Sequence, residues 1–262
     1  MTADQTSTAA PAAGRVHVHV ADGIGTVTFH HPKGNSLPGD LLRQMASSIR
    51  TLGADDAVRV IVLRSEGSGP FCAGASFDEL VAISDAESGR AFFSGFALVI
   101  LAMIRAPKFV LTRVQGKTAG GGVGLVAASD FSFAVDGASA KLSELAVGIG
   151  PFVVGPCIER KIGLAGYSAM AVDADWRDAA WCERQGLYSR LCVSTEEMDE
   201  ALDALARTLS QSNPAAMAQL KRVFWAGTDD WDHLLDERAR MSGAMVLSDF
   251  TRDAITKFRQ RS

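Results

Sequence analysis

Cysteine, histidine and tyrosine are scarce in this chain, at four, five and two among 262 residues. The cysteines, Cys72, Cys157, Cys182 and Cys192, have neither close pairing nor metal-ligand spacing. That excludes a zinc ribbon and a disulfide scaffold, and it makes free thiols in a reducing cytoplasm the expectation. His17 and His19 share one face of a strand without a third ligand, His30 and His31 precede Pro32 in a turn, and His233 has no relay partner. No metal site is expected. Charge of one sign is missing too: 26 basic against 30 acidic residues leaves −4, with no basic stripe for nucleic acid and no polybasic patch for a membrane. The most apolar run, Phe92 to Ile104, is interrupted by Ser94 and Gly95 and is too short to cross a bilayer. No G-K-[ST] follows a glycine cluster, and G-x-G-x-x-G is absent, so a phosphate loop is not supported. Met1 to Gly14 lacks both a basic and an apolar stretch and reads as a frayed tail, not a signal peptide.

Glycine is what the chain has in quantity: 25 residues, many between Gly116 and Gly155. Two small-residue stretches, Phe71-Cys-Ala-Gly-Ala75 and Gly120-Gly-Gly122, suit close approach of backbone N–H groups to a ligand. Two such groups aimed at one point make a pocket for a negative oxygen, as when a carbonyl becomes an enolate. Glu144, in Lys141-Leu-Ser-Glu-Leu-Ala-Val147, is an acid in an apolar setting, where desolvation raises its pKa and suits it to proton transfer. Each feature also has a plainer reading: a βα turn, close helix packing, a surface glutamate. Asp78 and Glu79 read as helix N-terminal acids, Asp130 as structural, and Cys72 as a small packed residue. Phe92, Phe93 and Phe96 read as core, or as the wall an acyl chain needs. Lys108, Lys141, Arg259 and Arg261 are candidate phosphate contacts.

Alternating residues at Arg15–Val20 and Gly25–Phe29 around Asp22-Gly23 predict a hairpin. Val58–Leu63, Phe109–Val114, Asp130–Val135 and a brief Ala140–Leu142 read as strands. A helix runs from Pro38-Gly-Asp40 to about Leu52, a second spans Ala86–Arg105, and a third Val123–Ala128. This repetition predicts an α/β body with parallel pairing. Beyond Gly155 helical patterns dominate: Cys157–Ile162, Gly166–Val172, Trp176–Gln185, Thr195–Gln211, Pro214–Trp225, Asp230–Ser242 and Asp249–Gln260, with one short strand within Gly186–Val193.

Taken together, Lys33-Gly-Asn-Ser-Leu37, Phe71–Ala75, Val114-Gln-Gly116, Gly120–Gly122, Ser129-Asp130 and Leu142–Ile149 resemble the crotonase superfamily, the enoyl-CoA hydratase/isomerase family. The resemblance covers almost all of the chain from Arg15. It implies a crotonase-like ββα spiral core over residues 15–195 and a C-terminal helical region, residues 196–262, for trimerisation and closure of the CoA site. By the same resemblance, the N–H groups of Ala75 and Gly121 hold the thioester oxygen of an acyl-CoA, and Glu144 exchanges the proton. Lys33, Ala73, Lys108, Phe258 and Arg259 are the expected CoA contacts. CoA enters as part of the substrate, so no separate cofactor is expected, and the assembly is a homo-trimer or a hexamer built as a dimer of trimers. Hydratases of the family commonly carry a second glutamate, at the position of Gly124. Its absence makes this chain similar to a single-glutamate, hydratase-like branch that adds water to a 2-enoyl-CoA. A Δ3,Δ2-enoyl-CoA isomerase, another reaction such as thioester hydrolysis, and a non-catalytic acyl-CoA-binding protein are the alternatives.

Overall fold

Asp22 and Gly23 both adopt positive φ and close a tight antiparallel hairpin between β1 (Arg15–Ala21) and β2 (Ile24–His30), with Ala21 opposite Ile24. The fold was obtained as a computed structural model that describes residues 14–259, with side chains as far as Lys257. The tail expected before Gly14 lies outside the described residues. Three parallel strands follow β2 in the sheet: β3 (Val60–Ser65), β4 (Val110–Val114) and β6 (Phe131–Val135). A short β9 (Arg190–Cys192) closes the edge, giving the order β1-β2-β3-β4-β6-β9.

A parallel sheet buries both faces, and here the two faces are covered differently. On one side pack α1 (Gly39–Ala54), α3 (Ala86–Arg105), α4 (Gly121–Ala128), α5 (Gly155–Asp173) and α9 (Trp231–Val246). On the other, Met198, Leu202 and Ala206 of α7 (Thr195–Ser210) cover Val60, Val62, Leu111 and Phe133. The 20 residues of α3 are long and apolar enough, by length and composition, to cross a bilayer; the Phe92–Ile104 run alone understated the element. Half of that stretch is buried inside the fold, where α3 packs between α1 and α9.

The structure departs from the sequence reading at a few short elements. A short α2 (Phe77–Val81) starts at Ser76, whose hydroxyl accepts from Glu79 N–H, so Asp78 and Glu79 do stand in a first turn. The two helices expected at Cys157–Ile162 and Gly166–Val172 are both present within α5, separated by a break at Gly163, φ 74°. The helix expected from Trp176 begins only at Ala179 (α6, Ala179–Gln185), because Arg177–Asp178 forms β8 and Asp178 caps the helix through Trp181 N–H. With β5 (Thr118–Ala119) and β7 (Ser139–Lys141), β8 completes a three-stranded sheet in the order β5-β7-β8. The chain ends in α8 (Pro214–Phe224), α9 and α10 (Asp249–Arg259).

Asp130 has the structural role expected of it. Its Oδ2 accepts from Val110 N–H at 2.7 Å and from Lys221 Nζ at 2.8 Å, and Oδ1 accepts from Trp225 Nε1 at 3.3 Å. The Asp130 and Lys221 side chains are 5% and 3% exposed, so α8 is pinned to the sheet by a desolvated pair. Burial lowers the lysine pKa while Asp130 opposes the shift. Asp130→Asn strands that ammonium, and urea unfolding is expected to show a loss of about 3–5 kcal/mol.

Candidate active site

Four short segments are stitched side by side by backbone hydrogen bonds, and they set the site. Ala73 N–H donates to Gly34 O at 3.2 Å, Leu37 N–H to Gly74 O at 2.8 Å, and Ser76 N–H to Leu37 O at 3.0 Å. On its other side the 71–76 segment meets β5: Ala119 N–H donates to Cys72 O at 2.9 Å, and Cys72 N–H to Lys117 O at 3.4 Å. Strand β5 pairs in turn with β7, and Gly120 N–H reaches Lys141 O at 2.9 Å. Asn35, itself at φ 57°, holds the approach to this ladder by donating from Nδ2 to Pro70 O at 2.9 Å and Glu66 O at 3.3 Å.

The two amides singled out from the sequence sit at the edge of this ladder. Leu37 pairs with the flanking groups of Ala75, so Ala75 N–H turns the opposite way. Gly121 opens α4, where the first N–H groups have no intrahelical acceptor. Both residues line one cavity of about 430 Å³. Gly74 lies between them at φ 93°. A Cβ there would sit 3.2 Å from Ala119 O and 4.0 Å from Gly121 N, so both the bend and the close approach require glycine.

Glu144 lines the same cavity. It precedes a 3₁₀ turn, Leu145–Val147, that ends at Gly148 in the left-handed region, and Ile149 N–H returns to Glu144 O at 2.9 Å. Thr251 of α10 donates to Gly148 O at 2.9 Å, so the C-terminal helix seats on this turn. The carboxyl lies against Gly120: a Cβ at residue 120 would be 3.1 Å from Glu144 Oε1. Glu144 Oε2 is shut off from solvent and has no hydrogen-bond partner among the described residues. Desolvation pushes the Glu144 pKa up to about 7, partly countered by the N–H groups of residues 144 and 143.

The rest of the wall is aromatic and aliphatic. Phe92, Phe93 and Phe96 of α3 line the cavity and do not merely fill the core. Of the expected CoA contacts, Lys33 and Ala73 lie on the lining, and Lys33 is paired with exposed Asp78. Lys108 is elsewhere: its ammonium donates to Leu52 O at 2.8 Å and to Asp55 O, closing the carbonyl end of α1, and it does not line the cavity. The side chains of Phe258 and Arg259, and Arg261, lie outside the described residues. Lys141 lines the cavity, with its ammonium 5.8 Å from the Trp176 ring centroid. Cys72 is fully buried, and desolvation pushes its thiol up to about 12, which removes it as a nucleophile. Contributors that the sequence reading did not single out include Phe77 and Leu80 of α2, Val153 and Val154, and Ser242 of α9, which stands some hundred positions from the motifs and has no local pattern to announce it.

Residues 19–260 match the enoyl-CoA hydratase/isomerase family. The chain belongs to that family. It is 31% identical over 203 residues to the "Probable enoyl-CoA hydratase" of Rhizobium meliloti (strain 1021), covering 76% of this chain and 77% of the relative. It is 32% identical over 200 residues to the mitochondrial methylglutaconyl-CoA hydratase of Rattus norvegicus, covering 74% of this chain but 63% of that protein. The crystal structure of enoyl-CoA hydratase from Bacillus halodurans superposes with a TM-score of 0.86 at 19% identity, over 92% of this chain and 99% of that one. The crotonase α/β fold is therefore established.

At position 124, where the resemblance leads to the expectation of a second glutamate in hydratases, the glycine is closely packed. A Cβ on Gly124 would lie 2.5 Å from Val154 Cγ1 and 2.8 Å from Val154 Cβ, with Ile100 Cδ1 at 3.2 Å. Apolar side chains fill the room that a second carboxylate needs. Glu144 is the only carboxylate on the cavity lining among the described residues.

The raised pKa of Glu144 has a stability signature. The folded protein holds this proton up to about pH 7, whereas an unfolded glutamate releases it near 4.5, so the native state loses stability as pH rises between these values. Glu144→Gln abolishes that loss. Denaturant melts are expected to show the variant gaining up to about 3 kcal/mol over the parent at pH 8 and nothing at pH 4. A pH-independent difference would place the Glu144 carboxyl in water.

Proposed function

We propose that this protein is an enoyl-CoA hydratase-like lyase that adds water to a 2-enoyl-CoA thioester with Glu144 as its single acid–base group. The observation that carries this reading is the solvent-shielded Glu144 carboxyl beside the Gly120 backbone, whose Oε2 has no hydrogen-bond partner among the described residues. The thioester oxygen lies between the N–H groups of Ala75 and Gly121, which hold the negative charge as the enolate forms; a donor of this kind is worth about 3–4 kcal/mol of barrier. Water attacks the β-carbon and yields one proton to Glu144. The same carboxyl then delivers a proton to the α-carbon, so the enzyme returns to its starting state. A pKa of about 7 suits both halves of that transfer at neutral pH. Lys33 and Ala73 are placed at the CoA portion of the ester. Assembly into a trimer or a dimer of trimers belongs to the same proposal.

A second reading, Δ3,Δ2-enoyl-CoA isomerase, draws support from the packing of Val154 against Gly124. One carboxylate in an apolar cavity moves a proton between two carbons without having to hold water.

Incubation with 2-enoyl- and 3-enoyl-CoA esters in deuterated water separates the two. Hydration converts the 2-enoyl ester to a 3-hydroxyacyl ester carrying one deuterium on the α-carbon; isomerisation interconverts the esters without adding oxygen. Glu144→Gln is expected to cut turnover by about 10²–10⁴-fold with ester binding retained. Full turnover in that variant contradicts the role of Glu144, and binding without turnover by the parent protein identifies an acyl-CoA-binding protein.

A further inference from the structure

Helix α3 meets α4 across bare backbone. Phe96 and Ile100, one turn apart on α3, pack on Gly121 and Gly124, one turn apart on α4. A Cβ on Gly121 would lie 2.6 Å from Phe96 Cδ2 and closer still to Cε2 and Cζ, so the phenyl ring occupies the place of a side chain at 121. Any residue larger than glycine there would have to displace it.

The ring has little freedom to leave. A Cβ on Gly89 would lie 2.8 Å from Gly243 Cα of α9, and one on Gly95 would lie 2.7 Å from Leu42 Cδ1 of α1, so α3 is closely packed on both neighbours. Phe96 follows Gly95 directly; it is 5% exposed and still lines the cavity.

The neighbour that this ring covers is one of the two amides of the site. Gly121 is the first residue of α4, and its N–H has no intrahelical acceptor. The N and Cβ of one residue stand about 2.5 Å apart, which puts the Phe96 ring within about 5 Å of that amide. On another side a Cβ on Gly74 would come within 4.0 Å of Gly121 N, and glycine leaves that side free. The amide is thus flanked by hydrocarbon at Phe96 and bare at Gly74. A donor shielded from water acts on a developing charge more strongly than one in contact with it.

We propose that Phe96 is a positioning residue: its ring, seated on the bare Cα of Gly121, keeps water from the Gly121 N–H, so that the thioester oxygen meets an unsolvated donor. This rests on the acyl-thioester reading above.

The test uses butanoyl-CoA labelled with ¹³C at its carbonyl, a saturated ester that binds without reacting. In the parent protein the C=O stretch of the bound ester falls below its value in water. It is expected to move back toward that value in the order Phe96→Leu, Phe96→Val, Phe96→Ala, as the cover over Gly121 shrinks. Turnover of a 2-enoyl ester falls in the same order, by about tenfold in the alanine variant, a part of the roughly 10²–10³-fold that loss of a whole donor costs. Phe93→Ala makes the same truncation at a cavity-lining ring outside the nearest contacts of Gly121; it weakens ester affinity and leaves the stretch in place. The valine variant keeps the series readable if the alanine variant does not fold. A parent stretch retained in the valine variant, or an equal shift caused by Phe93→Ala, overturns the role of Phe96 and leaves the amide pocket intact. Failure of the parent to bind the ester, or to lower its stretch, overturns the acyl-thioester reading itself.

Discussion

The site depends on backbone pairing outside the main sheet. Residues 34–37, 71–76, 117–120 and 139–141 are bound edge to edge, and each contributes one wall or one group of the cavity. Because these bonds are made by main-chain atoms, the directions of Ala75 N–H and Gly121 N–H are fixed before any ligand arrives. Preorganised donors of this kind need not reorient as charge develops, which is the main source of their catalytic value. Glycine at 74 is the residue without which the ladder and the amides could not coexist: its positive φ turns the chain, and its missing Cβ admits Ala119 O.

Electrostatics then follow from what the ladder excludes. With Val154 and Ile100 packed against Gly124, the cavity offers Glu144 neither a second acid nor a donor for Oε2 among the described residues. The same dryness that destabilises the charged carboxylate raises its pKa to about 7, the property that the proposed proton transfer uses. The buried Asp130–Lys221 pair shows the opposite solution elsewhere in the molecule. There, two desolvated charges are matched and hydrogen-bonded, and the result is rigid packing of α8 on the sheet.

Much of this was legible in the residue order. The hairpin, the parallel strands and the principal helices follow from alternation, β-branched runs and glycine or proline stops, all of which are local. The small-residue motifs and Glu144 were legible because close backbone approach restricts residue type so strongly. What escaped was non-local. Lys108 is a good phosphate ligand by chemistry, but its position puts it at the carbonyl end of α1, a contact between residues more than fifty positions apart. Ser242 reaches the cavity only because α9 packs on α3 at a glycine–glycine contact, and neither glycine stands in a recognisable motif. The two-residue strands β5 and β8 are shorter than any periodicity that could reveal them.

The central claim, that two fixed amides converge on one thioester oxygen, is tested most directly by vibrational spectroscopy of a bound ester isotopically labelled at its carbonyl carbon. Two simultaneous hydrogen bonds polarise the carbonyl, so the account predicts that the C=O stretch of bound acyl-CoA moves to lower frequency than that of the free ester in water. A stretch unchanged from water, or moved upward as in an apolar solvent, would contradict it.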